Sequence, residues 1–431
     1  MLLRPKQQHA ITSFVDAISI TSGRFLELSE QYDDCWNEIR KSEPWKSLLN
    51  YHYELYSITR YVIDSFQDRI PENFEGKLVE LENGNLTRDV EARLKGYLES
   101  LPRPYFICFE MPSFPHFQVP EINLGYGVSI IDTSAGFEPT LVQPTGVGIL
   151  NQPTGDQNKK LKLDKVYLRF SVNGYASFNF DAFSCADGLS KLKHFVFMGM
   201  SSGELLHKTL IDFMIDSPSM IRIDMPFSAL IYNPDDHNEA HPLHLPDELG
   251  EYLKWLKVNE ENIRFYDHSK AATVLGGKDR PPANPEEFKE ALTGALATTV
   301  AFQGVPRDNP DADRIKAAME WYVDAETTNN QTISYIQRCI GIETLLGDSG
   351  SKDRVTDKLS DRYAYLLGRT SSERQKFKDD FSEVYGRRSS IVHGRAAKLK
   401  IGYREQIKPK EMLQNCLTKE VQGLYQFLKA P

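Results

Sequence analysis

Apolar residues recur at helical spacing over Ile11–Leu28 and Leu48–Phe66. Thr87 opens a further helical stretch that Pro102 and Pro104 stop after Leu101. Residues 1–101 therefore read as a mostly helical region. From Tyr105 to Ala186 the period changes to two. Aromatic and β-branched residues alternate with polar ones in VYLRFSV and YASFNFDAF, between proline and glycine turns. That texture predicts antiparallel sheet. Helical spacing returns from Leu189 to Phe213, and Pro246–Lys257 reads as a short helix with proline in its first turn. Two linker-like stretches follow, LGGKDRPPANP from Leu275 to Pro285 and GVPRDNP from Gly304 to Pro310. Residues 102–303 thus read as an α+β region with an antiparallel sheet.

Beyond Gly304 the signals sharpen. Asn309 and Pro310 supply an N-cap and a first helical position for a helix reaching Glu326. A second helix runs from Gln331 to Leu346 and stops at Gly347. A third runs from Lys352 to Leu367 and stops at Gly368. Thr370 and Glu373 have capping-box spacing and open a fourth helix to His393, with Gly394 as its C-terminal cap. A fifth fits Lys410–Leu428. Residues 304–431 are expected to form an all-helical bundle. The chain as a whole reads as an α+β multidomain protein: a mixed helix and antiparallel-sheet region, then the bundle.

The chain has 431 residues, too many for one small domain. Its net charge of -9 argues against a surface that coats nucleic acid throughout. The charge is unevenly divided. From Ala312 onward there are about 21 Lys/Arg against about 16 Asp/Glu, so about +5, leaving about -14 for the rest. The densest basic stretch holds Arg387, Arg388, Arg395, Lys398, Lys400, Arg404, Lys408 and Lys410, with Glu405 alone opposing it along the sequence. Such a stripe is a local anion site, for which RNA phosphate is one candidate. A solvated basic loop is the plainer alternative. The five cysteines are far apart and form no CxxC pair, so neither a disulfide framework nor a cysteine zinc site is expected. No apolar run of about 18 residues occurs, and the N-terminus lacks an apolar signal core. The expectation is a cytoplasmic protein with no membrane partner.

The sharpest local feature is YGRRSSIVHG, from Tyr385 to Gly394. Here the sequence resembles the Apea-like branch of the HEPN superfamily. The branch's pattern, a Tyr and then Arg-Ser-x-Ile-Val-His-Gly, is matched by Tyr385, Arg388, Ser389, Ile391, Val392, His393 and Gly394. The preceding helices share its habit: an Ala/Trp/Tyr-rich helix (AAMEWYVDA), then an apolar-Glu-x-Leu-Leu core (IETLLG). The resemblance covers about residues 310–430. HEPN proteins are small helical bundles that usually pair two-fold. Many are metal-independent endoribonucleases of toxins, CRISPR effectors and anti-phage systems, whose Arg-x4–6-His motifs from two bundles line a shared cleft. The resemblance thus implies an endoribonuclease effector of bacterial antiviral, abortive-infection-like defence. It implies RNA as substrate and a homodimer through the C-terminal bundle. A phage-derived trigger or ligand is the expected partner of the N-terminal region. Many nuclease forms carry Asn, His or Asp after the arginine; here Ser389 stands there. The alternatives are a non-catalytic HEPN binding and dimerisation protein, or a nucleotide-binding regulator.

The residue types suit this chemistry. RNA carries its own nucleophile, the 2′-hydroxyl. Cleavage needs a base, an acid for the leaving oxygen and cations for the phosphorane. Histidine is the side-chain type that exchanges protons near neutrality, and arginine offers phosphate a planar fork. His393 is read as general acid/base, Arg388 as phosphate clamp and Ser389 as the residue that orients the site. Glu343, Arg387 and Tyr385 are read as supports, and Arg395, Lys398 and Lys400 as RNA-binding residues. No metal or cofactor is expected. Geometry sets a limit: five residues along a helix turn about 500°, so Arg388 and His393 point about 140° apart. Ser389 and His393, four apart, share a face. Arg388 continues the apolar stripe of Phe377, Phe381 and Val384, and Glu343 lies in a row with Ile336 and Ile340. Pairing of Glu343 with Arg388 or Arg387 would offset the cost of placing each charge among apolar residues. A purely structural bridge, and a capping role for His393, are the alternatives.

Other features are weaker. His237, His241 and His244 beside Asp235 and Asp236 have metal-ligand spacing, but Pro242 and Pro246 point to a polar loop. LGGKDRP lacks the phosphate-loop pattern. Tyr167, Phe170, Phe178 and Phe180 could stack bases, although core packing is the simpler reading.

Overall fold

The computed structural model describes residues 2–21, 25–27, 29–43, 45–49, 54–71, 73–117, 119–136, 140–141, 165–175, 183–207, 229–233, 239–243, 245–259, 285–305, 309–347, 355–393 and 401–429. Among them the α-helices are α1 (Pro5–Asp16), α2 (Glu30–Ile39), α3 (Trp45–Leu48), α4 (Glu54–Asp64), α5 (Asn85–Ser100), α6 (Phe183–Ser202), α7 (Asp247–Lys254), α8 (Pro285–Ala301), α9 (Pro310–Thr327), α10 (Gln331–Leu346), α11 (Val355–Leu367), α12 (Ser371–Val392) and α13 (Tyr403–Lys429). The strands are β1 (Ser19–Thr21), β2 (Phe25–Glu27), β3 (Gly76–Lys77), β4 (Arg103–Glu110), β5 (Glu121–Gly125), β6 (Val128–Asp132), β7 (Thr140–Leu141), β8 (Val166–Gly174), β9 (Leu205–His207), β10 (Ala229–Tyr232), β11 (Glu239–Leu243) and β12 (Leu256–Val258). None of the described helices is long and apolar enough to cross a membrane.

The fold is mixed α/β with a helical C-terminal part. The chain groups into two compact units, each built from separated pieces. One holds Met1–Glu110, Thr133–Leu189 and Ile223–Leu245; the other holds Met111–Asp132, Ser190–Arg222 and Pro246–Pro431. These units differ from three consecutive regions divided at residues 101 and 303. Strand pairing joins residues far apart in sequence, and local texture does not report such pairing.

In the first unit the helices bury one face each at three- and four-residue spacing. The buried residues are Ile11, Phe14 and Val15 of α1, Tyr32, Cys35 and Ile39 of α2, Leu55, Ile58 and Val62 of α4, and Val90, Leu94 and Leu98 of α5. The helix expected to reach Leu28 ends at Asp16 instead. Ile18 and Ile20 alternate with Ser19 and Thr21, and that short β-branched run pairs as β1 with β2 and β3. The larger sheet runs β8–β4–β10–β11–β7, antiparallel except between β11 and β7. Tyr105, Ile107 and Phe109 of β4 lie opposite Val172, Phe170 and Leu168 of β8, and all six are buried. Tyr167 and Phe170 are core residues, whereas Phe178 and Phe180 lie outside the described residues.

In the second unit β5 and β6 form a hairpin, and β9 pairs antiparallel with β12. No helix is expected over residues 285–301 from the sequence. Yet Leu292, Ala295, Leu296, Thr299 and Val300 are buried at helical spacing in α8. Helices α9–α12 follow their local signals closely, whereas α13 begins at Tyr403 rather than at Lys410 and carries Pro409 inside it. Asn309 and Asn330 cap α9 and α10 through their side chains, and Thr370 and Glu373 form the capping box of α12. α11 and α12 pack through Tyr363 against Phe377 and Phe381. α13 lies along α9 and α10, where Gly341 permits close approach. A Cβ at Gly341 would meet Leu413 Cδ2 at 2.7 Å and Trp321 Cβ at 3.2 Å. Gly341→Ala is expected to lower unfolding stability by about 1–3 kcal/mol, read from urea melts followed by helical circular dichroism.

Candidate functional site

Helices α10 and α12 run in the same direction. Their contacts ascend together along both: Tyr335 Oη donates to Val384 O at 3.0 Å, and Tyr385 Oη to Cys339 O at 3.2 Å. Next, Arg388 Nη2 lies 3.2 Å from Glu343 Oε1 and 3.4 Å from Oε2. The C-terminal ends of the two helices therefore meet at one end of the bundle. A cation is favoured there by both helix dipoles. The pairing of Glu343 with Arg388 suggested by their apolar rows is present, and it is a contact at the rim. The side chains are 28% and 31% exposed. Arg388 Nε is buried and makes no hydrogen bond. Burial pushes the Glu343 carboxyl above its ordinary range, and the Arg388 guanidinium opposes that shift.

The neighbouring residues divide into anchors and surface groups. Tyr385 is buried and stacks on Phe381, with ring centroids 4.1 Å apart and planes at 9°. It holds α12 on α10 and presents nothing to solvent. Arg387 is half-buried, and its charge acts on the Tyr335 phenol rather than on Glu343. Ser389 is half-buried and His393 is exposed. His393 is the C-cap of α12, and its N–H still reaches Ser389 O at 3.0 Å. Helical hydrogen bonding thus persists to His393, whose own backbone leaves the helical region at φ -87° and ψ 6°, and Arg388 and His393 depart from the α12 axis about 140° apart. A bend at the helix end does not bring guanidinium and imidazole together.

Arg395, Lys398 and Lys400 lie outside the described residues. The rest of the basic stretch is less bare than its sequence. Lys408 Nζ lies 2.7 Å from Asp380 and 2.6 Å from Glu383, both on α12, and Lys410 Nζ lies 2.6 Å from Glu326 on α9. Glu405 is therefore not the sole opposing acid. Helix packing supplies three more from distant positions, and the two lysines are tied to structure.

Sequence reasoning missed a buried polar network beside this site. Arg338 Nη2 lies 2.7 Å from Glu326 Oε1, its Nη1 donates to Gln406 Oε1, and Gln406 donates to Gln331 O. The Arg338 side chain is only 7% exposed. The signal was a cation on the face of α10 that also carries Tyr335, Cys339 and Ile342. Also missed was a group joining α6 to α9. Ser190 Oγ donates to Glu320 Oε1 at 2.5 Å, and His194 Nε2 lies 3.3 Å from the same oxygen and 3.5 Å from Ser190 Oγ. Burial raises the Glu320 carboxyl, but the bonds from His194 and Ser190, together with nearby positive charge that includes Lys193, hold it below its ordinary range. A serine nucleophile relay needs hydroxyl and acid on opposite ring nitrogens. Here both meet Nε2, so the group is a structural tie.

His237 and His244 lie outside the described residues, and the backbone at His241 belongs to β11. Among the described residues no cluster of His, Cys, Asp and Glu is placed to hold a metal ion, and all five cysteines are buried free thiols. Compared with known proteins, the chain matches no family model, no curated sequence and no solved structure.

Proposed function

We propose that this protein is an endoribonuclease of the HEPN type, acting as a cytoplasmic effector of bacterial antiviral defence. The observation that carries the reading is Arg388, partnered by Glu343, with an exposed His393 little more than a turn further along α12. Two copies pair through the C-terminal bundle, so that each helix face missing from one site is supplied by the other. An imidazole takes the proton from the 2′-hydroxyl, and the 2′-oxygen attacks phosphorus. The bond to the 5′-oxygen breaks, and that oxygen receives a proton from the second imidazole. Arg388 carries the charge that builds on the phosphorane oxygens. The products are a 2′,3′-cyclic phosphate and a 5′-hydroxyl. A phage-derived ligand acting on the N-terminal part is the proposed trigger.

The test is incubation of the full-length protein with total RNA in EDTA. New fragments should accept label from polynucleotide kinase without prior phosphatase treatment, which reports 5′-hydroxyl ends. A second reading, RNA binding and dimerisation without cleavage, draws on the counter-charge at Arg388 and the angular separation from His393. RNA that is bound but stays intact with the trigger present would select it.

A further inference from the structure

Arg388 meets Glu343 through one nitrogen. Nη2 sits between the two carboxylate oxygens at 3.2 and 3.4 Å, while Nε has no partner. Arg69 and Glu82 show the contrasting geometry: Nε and Nη2 of Arg69 each take a separate oxygen of Glu82. That two-point fork is what arginine forms with carboxylate and phosphate alike. Arg338, by comparison, engages Glu326 at 2.7 Å and uses its other terminal nitrogen on Gln406. The Arg388 contact is thus longer, one-sided and about one-third open to water. Pairs of this kind contribute little to stability and are readily replaced.

We propose that Glu343 is an exchangeable counter-ion: an RNA backbone phosphate displaces it from Arg388, and the displaced carboxylate takes up a proton from solvent. The inference rests on Arg388 being the phosphate-binding residue. Glu343 sits on α10 in a row with Ile336 and Ile340, half-buried, where an unpartnered carboxylate is disfavoured. Burial raises its carboxyl, and among the described residues the Arg388 charge opposes that rise. Among the described residues the titratable groups facing it are Cys339 on α10 and Tyr385 and Arg388 on α12. Burial pushes the Cys339 thiol up to about 12 and the Tyr385 phenol higher still, so both stay neutral. Among the described residues of α11 and α13, no charge acts on Glu343. When phosphate occupies Arg388, the lowering influence is gone and a second negative charge arrives. Anion binding and proton uptake are then coupled. The sign follows: phosphate affinity rises as pH falls, because protonated Glu343 no longer competes.

The experiment is calorimetric titration of the full-length protein with a short 2′-O-methyl RNA, which lacks the nucleophile and stays uncut. Titrations at mildly acidic pH in two buffers of different ionisation enthalpy count the protons taken up. The wild type should take up protons on binding. Glu343→Gln should take up fewer and bind about two- to fivefold tighter at neutral pH, a gap that closes as pH falls. Absence of proton uptake by the wild type overturns the exchange without recourse to any variant. Equal uptake in wild type and Glu343→Gln, or weaker binding by the variant, also overturns it. Arg388→Ala separates the two levels. If it binds this RNA as the wild type does, the assignment of the site itself is wrong. If it loses binding while Glu343→Gln behaves as wild type, only the exchange fails.

Discussion

His393→Ala and Arg388→Ala are each expected to lower RNA cleavage by about 10²- to 10⁴-fold while the helical signal and melting behaviour stay close to wild type. The contrast follows from where the two side chains lie. His393 is exposed at the helix terminus, so its removal leaves no cavity. Arg388 is 28% exposed and its contact with Glu343 is long, so its loss changes stability by no more than about 1 kcal/mol. Arg388→Lys should remain well below wild type, because a point charge does not reproduce the planar fork. Mixing the two inactive single variants gives a sharper reading. If the cleft needs the imidazole and guanidinium of both copies, mixed dimers, which hold one of each, stay as inactive as the single variants; partial recovery would show that one imidazole and one guanidinium from different copies suffice. Cleavage that persists undiminished in both single variants would place the chemistry elsewhere.

Glu326→Ala is expected to cost about 3–5 kcal/mol of unfolding stability, because it strips a buried cation of its partner. Arg338 is 7% exposed, and Glu326 also bonds Lys410, so two positive charges on α10 and α13 would face each other across the vacated position. Lys410, at 39% exposure, can turn to water; Arg338 cannot. Urea denaturation gives the loss directly, and the double variant Glu326→Leu with Arg338→Met completes the argument. Replacing both charges by apolar groups should cost less than Glu326→Ala alone. A double variant as unstable as the single one would mean that the charges matter only as shape.

Much of the C-terminal bundle was legible because its signals are local. Asn309, Thr370 with Glu373, and Gly347 act within a turn of themselves, and the helices start and stop where these residues indicate. The Glu343–Arg388 contact was legible for a related reason: each charge interrupts an apolar row, and an interrupted row needs a partner. The Arg338–Glu326–Gln406 network obeys the same logic. Its partners come from three helices whose packing no single segment encodes, so only the anomaly at Arg338 was visible. The same holds for Lys408, which looks like a free cation in sequence and is held by two acids from α12. At the other end of the chain, the short β-branched run around Ile18 and Ile20 was too brief to stand out against the helical spacing on either side of it.

The second unit gathers Met111–Asp132 and Ser190–Arg222 together with everything from Pro246 onward. Its helix α9 leans on α6: Phe197 packs edge-on against Tyr322, and Lys193 Nζ lies 2.6 Å from Asp324. A gene fragment cut at the linker before Pro310 would encode the motif but strand these aromatic and ionic surfaces in water. Transplanting the bundle onto another protein, or expressing it in isolation, therefore calls for carrying the upstream helix along, either as a circular permutant or as a co-expressed peptide.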